Sequence, residues 1–326
     1  MTVRWGIMGT GVMAAAMHNA ILAEGGRVLG VASADADRAA AFAAEREIPR
    51  SHGDHHDLVE ADDLDVVYVA TTNDRHRRDA LACVRAGVPV LVEKPFALDH
   101  SQASEVVEAA RAAGVFVMEG MWMRFQPAFR EIERRVAAGE VGSPRLVTAD
   151  FGIAADPHPA RRWFSREQGG GALLDVGIYP LTFAVSVLGE PTEVRAIGEL
   201  TDTGVDGQLA VAMRHPLGLS AWSCSFLAES GVEATVAGPD ASLRLQSPFH
   251  HSSRLTLRRR AEVLYDHEVV GADLGYRHQI REVHRCLDEG RTESERMPLD
   301  LTLTVVRWMD EIRAQVGVTY PVFGTG

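Results

Sequence analysis

Cysteine is scarce in this chain of 326 residues: Cys83, Cys224 and Cys286 stand far apart and show no CxxC spacing. That argues against a disulfide framework or a thiolate zinc site, and it fits a reducing, cytoplasmic setting. Positive charge is also short, with 33 Lys and Arg against 45 Asp and Glu, a net charge of −12. A nucleic-acid binder needs a concentrated basic stripe. The densest run, Arg258-Arg259-Arg260, closes an alternating stretch and reads as a solvated strand end or turn. No nucleic-acid partner is expected. Long apolar runs are missing too: the longest, Ala172 to Leu188, is broken by Asp175 and Pro180 and makes a poor membrane span. The chain enters an apolar strand pattern almost at once, Val3 to Met8, which leaves no room for a signal peptide. No membrane partner, internal repeat or low-complexity stretch is expected.

What remains is a composition of 46% hydrophobic and 24% charged residues, ordinary for a globular protein with two cores. Up to about residue 118, short apolar runs alternate with amphipathic segments. Strands are expected at 3–8, 27–32, 66–70, 88–92 and 115–118, with helices at 12–24, 37–46, 76–86 and 101–113. Glycines 25, 87 and 114 suit left-handed helix ends. This order predicts an N-terminal Rossmann domain, a doubly wound parallel sheet with helices on both faces, over residues 1–121. After Gly120 the texture changes to a helix at 127–138 and then mostly strands: 145–151, 193–199, 209–213, 219–226, 233–237, 243–245 and 254–257. Residues 122–326 therefore form an α+β domain with an open, largely antiparallel sheet, for substrate binding and dimerisation. Two late helices follow the spacings Tyr276-Ile280-Val283-Leu287 and Val305-Met309-Ile312-Val316. The later one, 298–316, is a candidate to pack at the domain interface. The exposed face of this domain's sheet is expected to carry more apolar residues than solvation favours, notably on Ser220–Phe226, which points to a homodimer or a higher homo-oligomer.

Three motifs carry chemistry. Gly9-Thr10-Gly11-Val12-Met13-Ala14 follows a strand and opens a helix. Gly9 permits the turn, Gly11 leaves space for a pyrophosphate, and Ala14 lets helix and strand pack closely. The helix N-terminus adds backbone N–H groups and partial positive charge. At the tip of the second strand, Ser33 and Arg38 suit the 2′-phosphate of NADP, although Asp35 and Asp37 limit how basic that pocket is; NAD is the alternative cofactor. Against this, Ser33 reads equally as a helix cap and Arg38 as a solvated side chain. Thr71-Thr72-Asn73, with His76 beyond, follows one strand, and Pro89-Val-Leu-Val-Glu93-Lys94-Pro95 ends the next. Such tips are neighbours in parallel sheets, and ligands bind beyond their carboxyl ends. The third motif is Gly169-Gly-Gly-Ala-Leu-Leu-Asp175-Val-Gly-Ile-Tyr179, whose acid and phenol share a face if the segment is helical.

Together these motifs resemble the glucose–fructose oxidoreductase / inositol dehydrogenase / rhizopine-catabolism superfamily (Gfo/Idh/MocA) over nearly the whole chain. Residues 121–127, 169–180, Thr203-Gly204-Val205-Asp206 and Gly317-Val318-Thr319-Tyr320-Pro321 are similar to its branch of dimeric dihydrodiol dehydrogenases and NADP-dependent D-xylose dehydrogenases. The resemblance implies that Lys94, with Glu93, lies by the nicotinamide and the substrate, and that Lys94–Pro95 is a cis peptide. It implies that Tyr179 and Asp175 belong to the catalytic set. A phenol and an amine titrate near about 10, too high for an efficient base at neutral pH. An ammonium beside the phenol favours phenolate, so Tyr179 is expected as acid/base with Lys94 lowering its pKa; the two roles are exchangeable. Asp175 would orient the substrate hydroxyl or Lys94.

Asn73 and His76 are candidates to reach nicotinamide or substrate, although His76 also reads as a helix start. Trp122 and Phe125 are candidates for an apolar wall, with core packing equally open, and Arg124, Arg161, Arg162 and Trp163 for the substrate mouth. Asp54-His55-His56-Asp57 and His250-His251 read as solvated, so no metal is expected. The expected function is hydride transfer between NAD(P) and a small sugar or polyol, first an aldopyranose such as D-xylose at its anomeric carbon. The alternatives are a trans-dihydrodiol dehydrogenase and, in another class, a non-catalytic NAD(P)-sensing regulator.

Overall fold

The computed structural model describes residues 2–60, 63–156, 158 and 161–321. The chain divides into two compact units, Met1–Trp122 with Tyr276–Val306, and Met123–Gly275 with Arg307–Gly326.

The first unit is built on β1 (Arg4–Met8), β2 (Arg27–Ala32), β3 (Arg50–His52), β4 (Val66–Val69), β5 (Val90–Glu93) and β6 (Val117–Gly120). They lie in the order β3-β2-β1-β4-β5-β6, all parallel. Between them run α1 (Val12–Ala23), α2 (Ala36–Glu45), α3 (His55–Val59), α4 (His76–Arg85) and α5 (His100–Ala113). The central strands are apolar runs rather than alternations, and Val66 to Val69 and Val90 to Val92 are wholly buried. Cover on both faces requires that pattern. Strand order reverses between β1 and β4, and there the carboxyl ends leave a crevice for a ligand. β3 was not anticipated, because three polar residues on a sheet edge carry no readable period, whereas α3 begins at the polar helix start Asp54-His55-His56-Asp57.

In the second unit, α6 (Pro127–Ala137) precedes β7 (Leu146–Gly152) and α7 (Ile178–Leu188). Seven strands follow: β8 (Glu193–Leu200), β9 (Asp206–Arg214), β10 (Leu219–Ser225), β11 (Ala234–Ala237), β12 (Ser242–Leu245), β13 (Arg254–Arg259) and β14 (Glu262–Glu268). The sheet order is β14-β13-β12-β11-β7-β10-β9-β8, antiparallel except for the β10–β7 pair. Alternation sets its two faces. Ser220, Trp222 and Cys224 of β10 are buried with Leu209, Val211 and Met213 of β9, beneath the almost wholly apolar α7. The expectation that the large apolar residues of 220–226 face outward is therefore corrected: Trp222, Cys224 and Phe226 are buried. The outer face instead shows Ala210, Ala212, Ala221 and Ser223, with Leu146, Ile197 and Leu219 exposed. Gly177 lets α7 approach closely, since a Cβ there would lie 2.7 Å from Cys224 Sγ.

Two further helices complete the chain, α8 (Arg277–Asp288) and α9 (Leu299–Val316). α8 belongs to the first unit, where Glu24 pairs with Arg277 and Arg281, and Trp5 Nε1 lies 3.1 Å from His284 Nε2. The end of α9 lies in the second unit, where Gln315 bonds Ala196 N and Val194 O and covers part of β8.

Candidate active site

The turn after β1 is shaped by two glycines with different tasks. Gly9 has φ +110°, and a Cβ there would fall 2.4 Å from Ala70 O, so only glycine fits. Gly11 faces open space, with nothing within 4 Å of where its Cβ would be. No side chain caps α1, Val12 is exposed, and Ala14 is buried against the sheet. Backbone donors, a helix N-terminus and an unfilled cradle together fit a pyrophosphate, so Gly9, Thr10, Gly11, Val12 and Met13 can hold a dinucleotide.

Ser33, at the end of β2, is buried, and its Oγ lies 3.5 Å from Arg38 Nη2. The cap of α2 is Asp35 rather than Ser33: its carboxylate accepts Arg38 N–H at 3.0 Å and pairs with the exposed Arg38 guanidinium at 3.3 Å. After β4, Thr71 donates to Asp79 at 2.8 Å, Thr72 precedes a short 3-10 turn, and Asn73 and His76 are buried. His76 Nδ1 lies 2.7 Å from Pro95 O and Nε2 3.2 Å from Thr71 O, which ties the two strand ends together. Asp79 also receives His55, 3.3 Å away and buried. His55 is thus not solvated as the sequence suggested. Burial pushes the Asp79 carboxyl up, but His55 and Arg78 hold it below its ordinary value.

Glu93 closes β5 and accepts the Tyr68 phenol at 2.5 Å and Lys94 N–H at 3.0 Å. Lys94 is half-buried and the Lys94–Pro95 peptide is cis. Behind this turn stands Glu119 of β6, wholly buried, which accepts Phe96 N–H at 3.1 Å and the Thr302 hydroxyl at 2.8 Å. Burial, opposed by these bonds, pushes Glu119 up to about 7. Glu119 was not singled out from sequence. A glutamate inside an apolar strand run was the signal available.

Trp122 packs on Tyr276, ring centres 4.5 Å apart, and the Tyr276 hydroxyl lies 3.8 Å from Met13 Sδ. In the second unit, Arg124 is buried, bonded to Glu133 at 2.7 Å and set over the Phe129 ring, and burial lowers its pKa. Phe125 is buried beside it in sequence. Residues Leu173–Gly177 form a π-helical turn that runs into α7. Such turns carry an extra residue and recur at functional sites. Asp175 sits in the turn, 3.4 Å from the Arg162 guanidinium, and Tyr179 is buried at the start of α7. Trp163 stacks on Phe226 at 5.6 Å. The Tyr179 ring is flanked by Phe151 at 5.5 Å and by His250 at 5.1 Å, and His250 stacks on Phe151. His250 therefore packs beside the phenol instead of lying in solvent, a neighbour that sequence reading missed. Among the described residues, no three His, Cys, Asp or Glu side chains gather closely enough for a metal ion.

Comparison with known proteins identifies the family. Residues 3–121 match the family described as oxidoreductase family, NAD-binding Rossmann fold, and residues 129–244 match the GFO/IDH/MocA C-terminal domain. The chain is similar to trans-1,2-dihydrobenzene-1,2-diol dehydrogenase of Danio rerio, 34% identical and covering 98% of each chain. Among solved structures it is similar in fold to aldose-aldose oxidoreductase from Caulobacter crescentus, with a TM-score of 0.87, 23% identity, and 97% and 98% of the two chains covered. It is similar likewise to the 3-ketoreductase KijD10 from Actinomadura kijaniata in complex with NADP, with a TM-score of 0.86, 23% identity and the same coverage. The chain belongs to the Gfo/Idh/MocA family of NAD(P)-dependent oxidoreductases.

Proposed function

We propose that this protein is an NADP-preferring dehydrogenase that oxidises one hydroxyl carbon of a small ring bearing adjacent hydroxyls, first an aldopyranose such as D-xylose at its anomeric carbon. The observation that carries this is the placement of Asp175 on a π-helical turn four residues ahead of Tyr179, which is buried at the start of α7 against Phe151 and His250. A second reading, a trans-dihydrodiol dehydrogenase, is favoured by the name of the Danio rerio relative. Both substrates offer vicinal hydroxyls to the same acid, base and aromatic wall. A regulator that only senses nucleotide would need neither Lys94 nor the Asp175/Tyr179 pair.

Gly9 to Met13 hold the pyrophosphate, Ser33 and Arg38 the 2′-phosphate, and Thr71, Thr72, Asn73, His76, Glu93 and Lys94 the nicotinamide end. Asp35 is committed to α2 and to Arg38, which favours a phosphate over a ribose hydroxyl at that tip. When bound, the cofactor supplies the hydride acceptor. Tyr179 takes the hydroxyl proton as base, and the Lys94 ammonium stabilises the phenolate and the developing alkoxide. Asp175, held by Arg162, orients the hydroxyl. Trp163 lines the substrate, while Trp122, Arg124 and Phe125 support its walls. The second unit is also assigned dimerisation: exposed Leu146, Ile197 and Leu219 on the outer sheet face support a homodimer, which sedimentation showing a monomer would refute. The three cysteines are buried free thiols, which supports a reducing cytoplasm.

Absorbance of NADPH across a panel of aldopyranoses and trans-1,2-dihydrobenzene-1,2-diol, each with NADP and with NAD, tests substrate and cofactor together. Tyr179→Phe and Lys94→Met should each lower kcat by about a hundredfold or more while NADP still binds. Near-normal turnover in both removes the mechanism.

A further inference from the structure

Three segments to which the mechanism gives no task converge in the second unit. They are the glycine run 169–171, the β8–β9 turn that ends in Asp206, and Val318 to Tyr320 after α9. Asp206, wholly buried at the start of β9, accepts the Leu173 N–H through Oδ2 at 2.6 Å. Leu173 opens the π-helical turn, so this carboxylate caps the segment that carries Asp175 and leads into Tyr179. Asp206 Oδ1 has no hydrogen-bond partner among the described residues. It lies where a Cβ on Gly171, at φ +117°, would come within 2.3 Å. The Tyr320 phenol donates to Gly170 O at 2.5 Å, and Arg166 donates to Thr319 O at 2.6 Å and to Thr319 Oγ1 at 2.7 Å. The Arg313 guanidinium lies over the Tyr320 ring, 4.9 Å from its centre.

We propose that Asp206 and Tyr320 are positioning residues that hold residues 171–179 in the conformation that presents Asp175 and Tyr179. This rests on Asp175 and Tyr179 being the reacting groups. A π-helical turn is rare and keeps its shape where its ends are held. An acceptor on the first N–H supplies the partner that a helix start lacks. Glycine has little conformational preference of its own, so the run 169–171 is held by its bonds: the glycine N–H groups donate to Arg166, Ser165 and Trp163 carbonyls, and the Tyr320 phenol adds the long-range tie at Gly170 O. The arrangement is costly, because burial pushes Asp206 up to about 7 even though it is opposed by backbone N–H groups and by Arg313. The ionisable groups around it are Cys224 on β10, Arg313 on α9 and Tyr320, and burial raises the Tyr320 phenol, which keeps it a donor. As pH falls through this region, Asp206 gains a proton and becomes a weaker acceptor for Leu173 N–H. The grip on the reactive segment loosens, and kcat falls on the acid side.

Four variants test this: Asp206→Ala, Asp206→Asn, Tyr320→Phe and Tyr179→Phe. Asp206→Ala should lower kcat about tenfold or more with little change in NADP affinity, and Tyr320→Phe should lower it about threefold. Asparagine keeps the acceptor oxygen, so Asp206→Asn should recover most of kcat and flatten the acid limb of its pH profile. Deuterium uptake at the amides of residues 172–179, which needs no substrate, should rise in Asp206→Ala and Tyr320→Phe but not in Asp206→Asn. Wild-type kcat, pH profile and exchange in Asp206→Ala and Tyr320→Phe overturn the proposal. Should Asp206→Ala fail to fold, an unchanged acid limb in Asp206→Asn with unchanged exchange in Tyr320→Phe overturns it as well. Normal turnover in Tyr179→Phe would end the assignment of the reacting groups. An inactive Tyr179→Phe beside a normal Asp206→Ala would end the positioning role alone.

Discussion

Each unit sets one wholly buried carboxyl behind side chains proposed to react: Glu119 stands behind the turn that carries Lys94, and Asp206 caps the turn that carries Asp175; burial raises both to about 7. They differ in how they are satisfied. Both Glu119 oxygens have donors, Phe96 N–H and the Thr302 hydroxyl, whereas Asp206 leaves one oxygen without a partner among the described residues. They differ also in what they hold. The first unit mounts its amine on a strand end that the parallel sheet already fixes; the second mounts its acid on an irregular helical turn and its phenol on the helix that the turn leads into. A clamp is redundant in one place and required in the other.

The largest effect is expected at Lys94, to which the proposed mechanism gives a chemical role rather than a structural one. Lys94 is the only lysine in the chain; the other 32 of the 33 basic residues are arginine. Where a cation only pairs with carboxylates, as Arg254 does with Asp266, arginine serves. An amine at one strand end argues for what guanidinium cannot do, namely present a compact point charge. Lys94→Arg keeps the charge but not its compact placement and should therefore lower kcat about a hundredfold while NADP still binds, measured by steady-state kinetics and fluorescence titration. Retention of more than about a tenth of the wild-type rate would show that only the charge matters.

Next in size is the pH dependence of stability. Between the ordinary carboxyl value and about 7, folded Glu119 keeps a proton that the unfolded chain has released. Stability therefore declines as pH rises across that window, and above it the full penalty is present. Glu119→Gln can still accept Phe96 N–H and can donate to Thr302, so it should gain on the order of 3 kcal/mol at pH 8 and nothing at pH 4 in urea melts. Asp206→Asn should gain less, because its new amide donor faces a place where Asp206 Oδ1 has no partner. Equal gains would erase the contrast between the two carboxyls.

The same contrast explains what could be read in advance. In the first unit, strand runs, glycine turns and the Glu93-Lys94-Pro95 step are local signals, and they placed five of the six strands and the nucleotide loop. β3 escaped because Arg50, Ser51 and His52 are polar and lie on an edge. In the second unit, alternation gave the sheet but not the polarity of β10, because apolar content alone does not say which face lies under α7. Asp206 and Tyr320 were visible only as parts of branch-like motifs, and their task depends on contacts between segments far apart in sequence. His250 beside Tyr179 had no local signal either, since a histidine in a short 3-10 turn reads the same in solvent as against a ring.

The smallest effect belongs to an exposed cation, and exposure is the reason. Two-thirds of the Arg38 side chain remains accessible, and its nearest charge is Asp35. A 2′-phosphate beside it would be reached by salt and water, so the gain is modest compared with that of a buried group. Arg38→Ala should raise KM for NADP about tenfold and leave KM for NAD nearly unchanged. Raising ionic strength should weaken NADP binding in the wild type and have less effect in the variant, because the screened interaction is already gone. An equal rise in KM for both cofactors would move Arg38 from recognising the phosphate to supporting α2, where its own N–H is capped by Asp35.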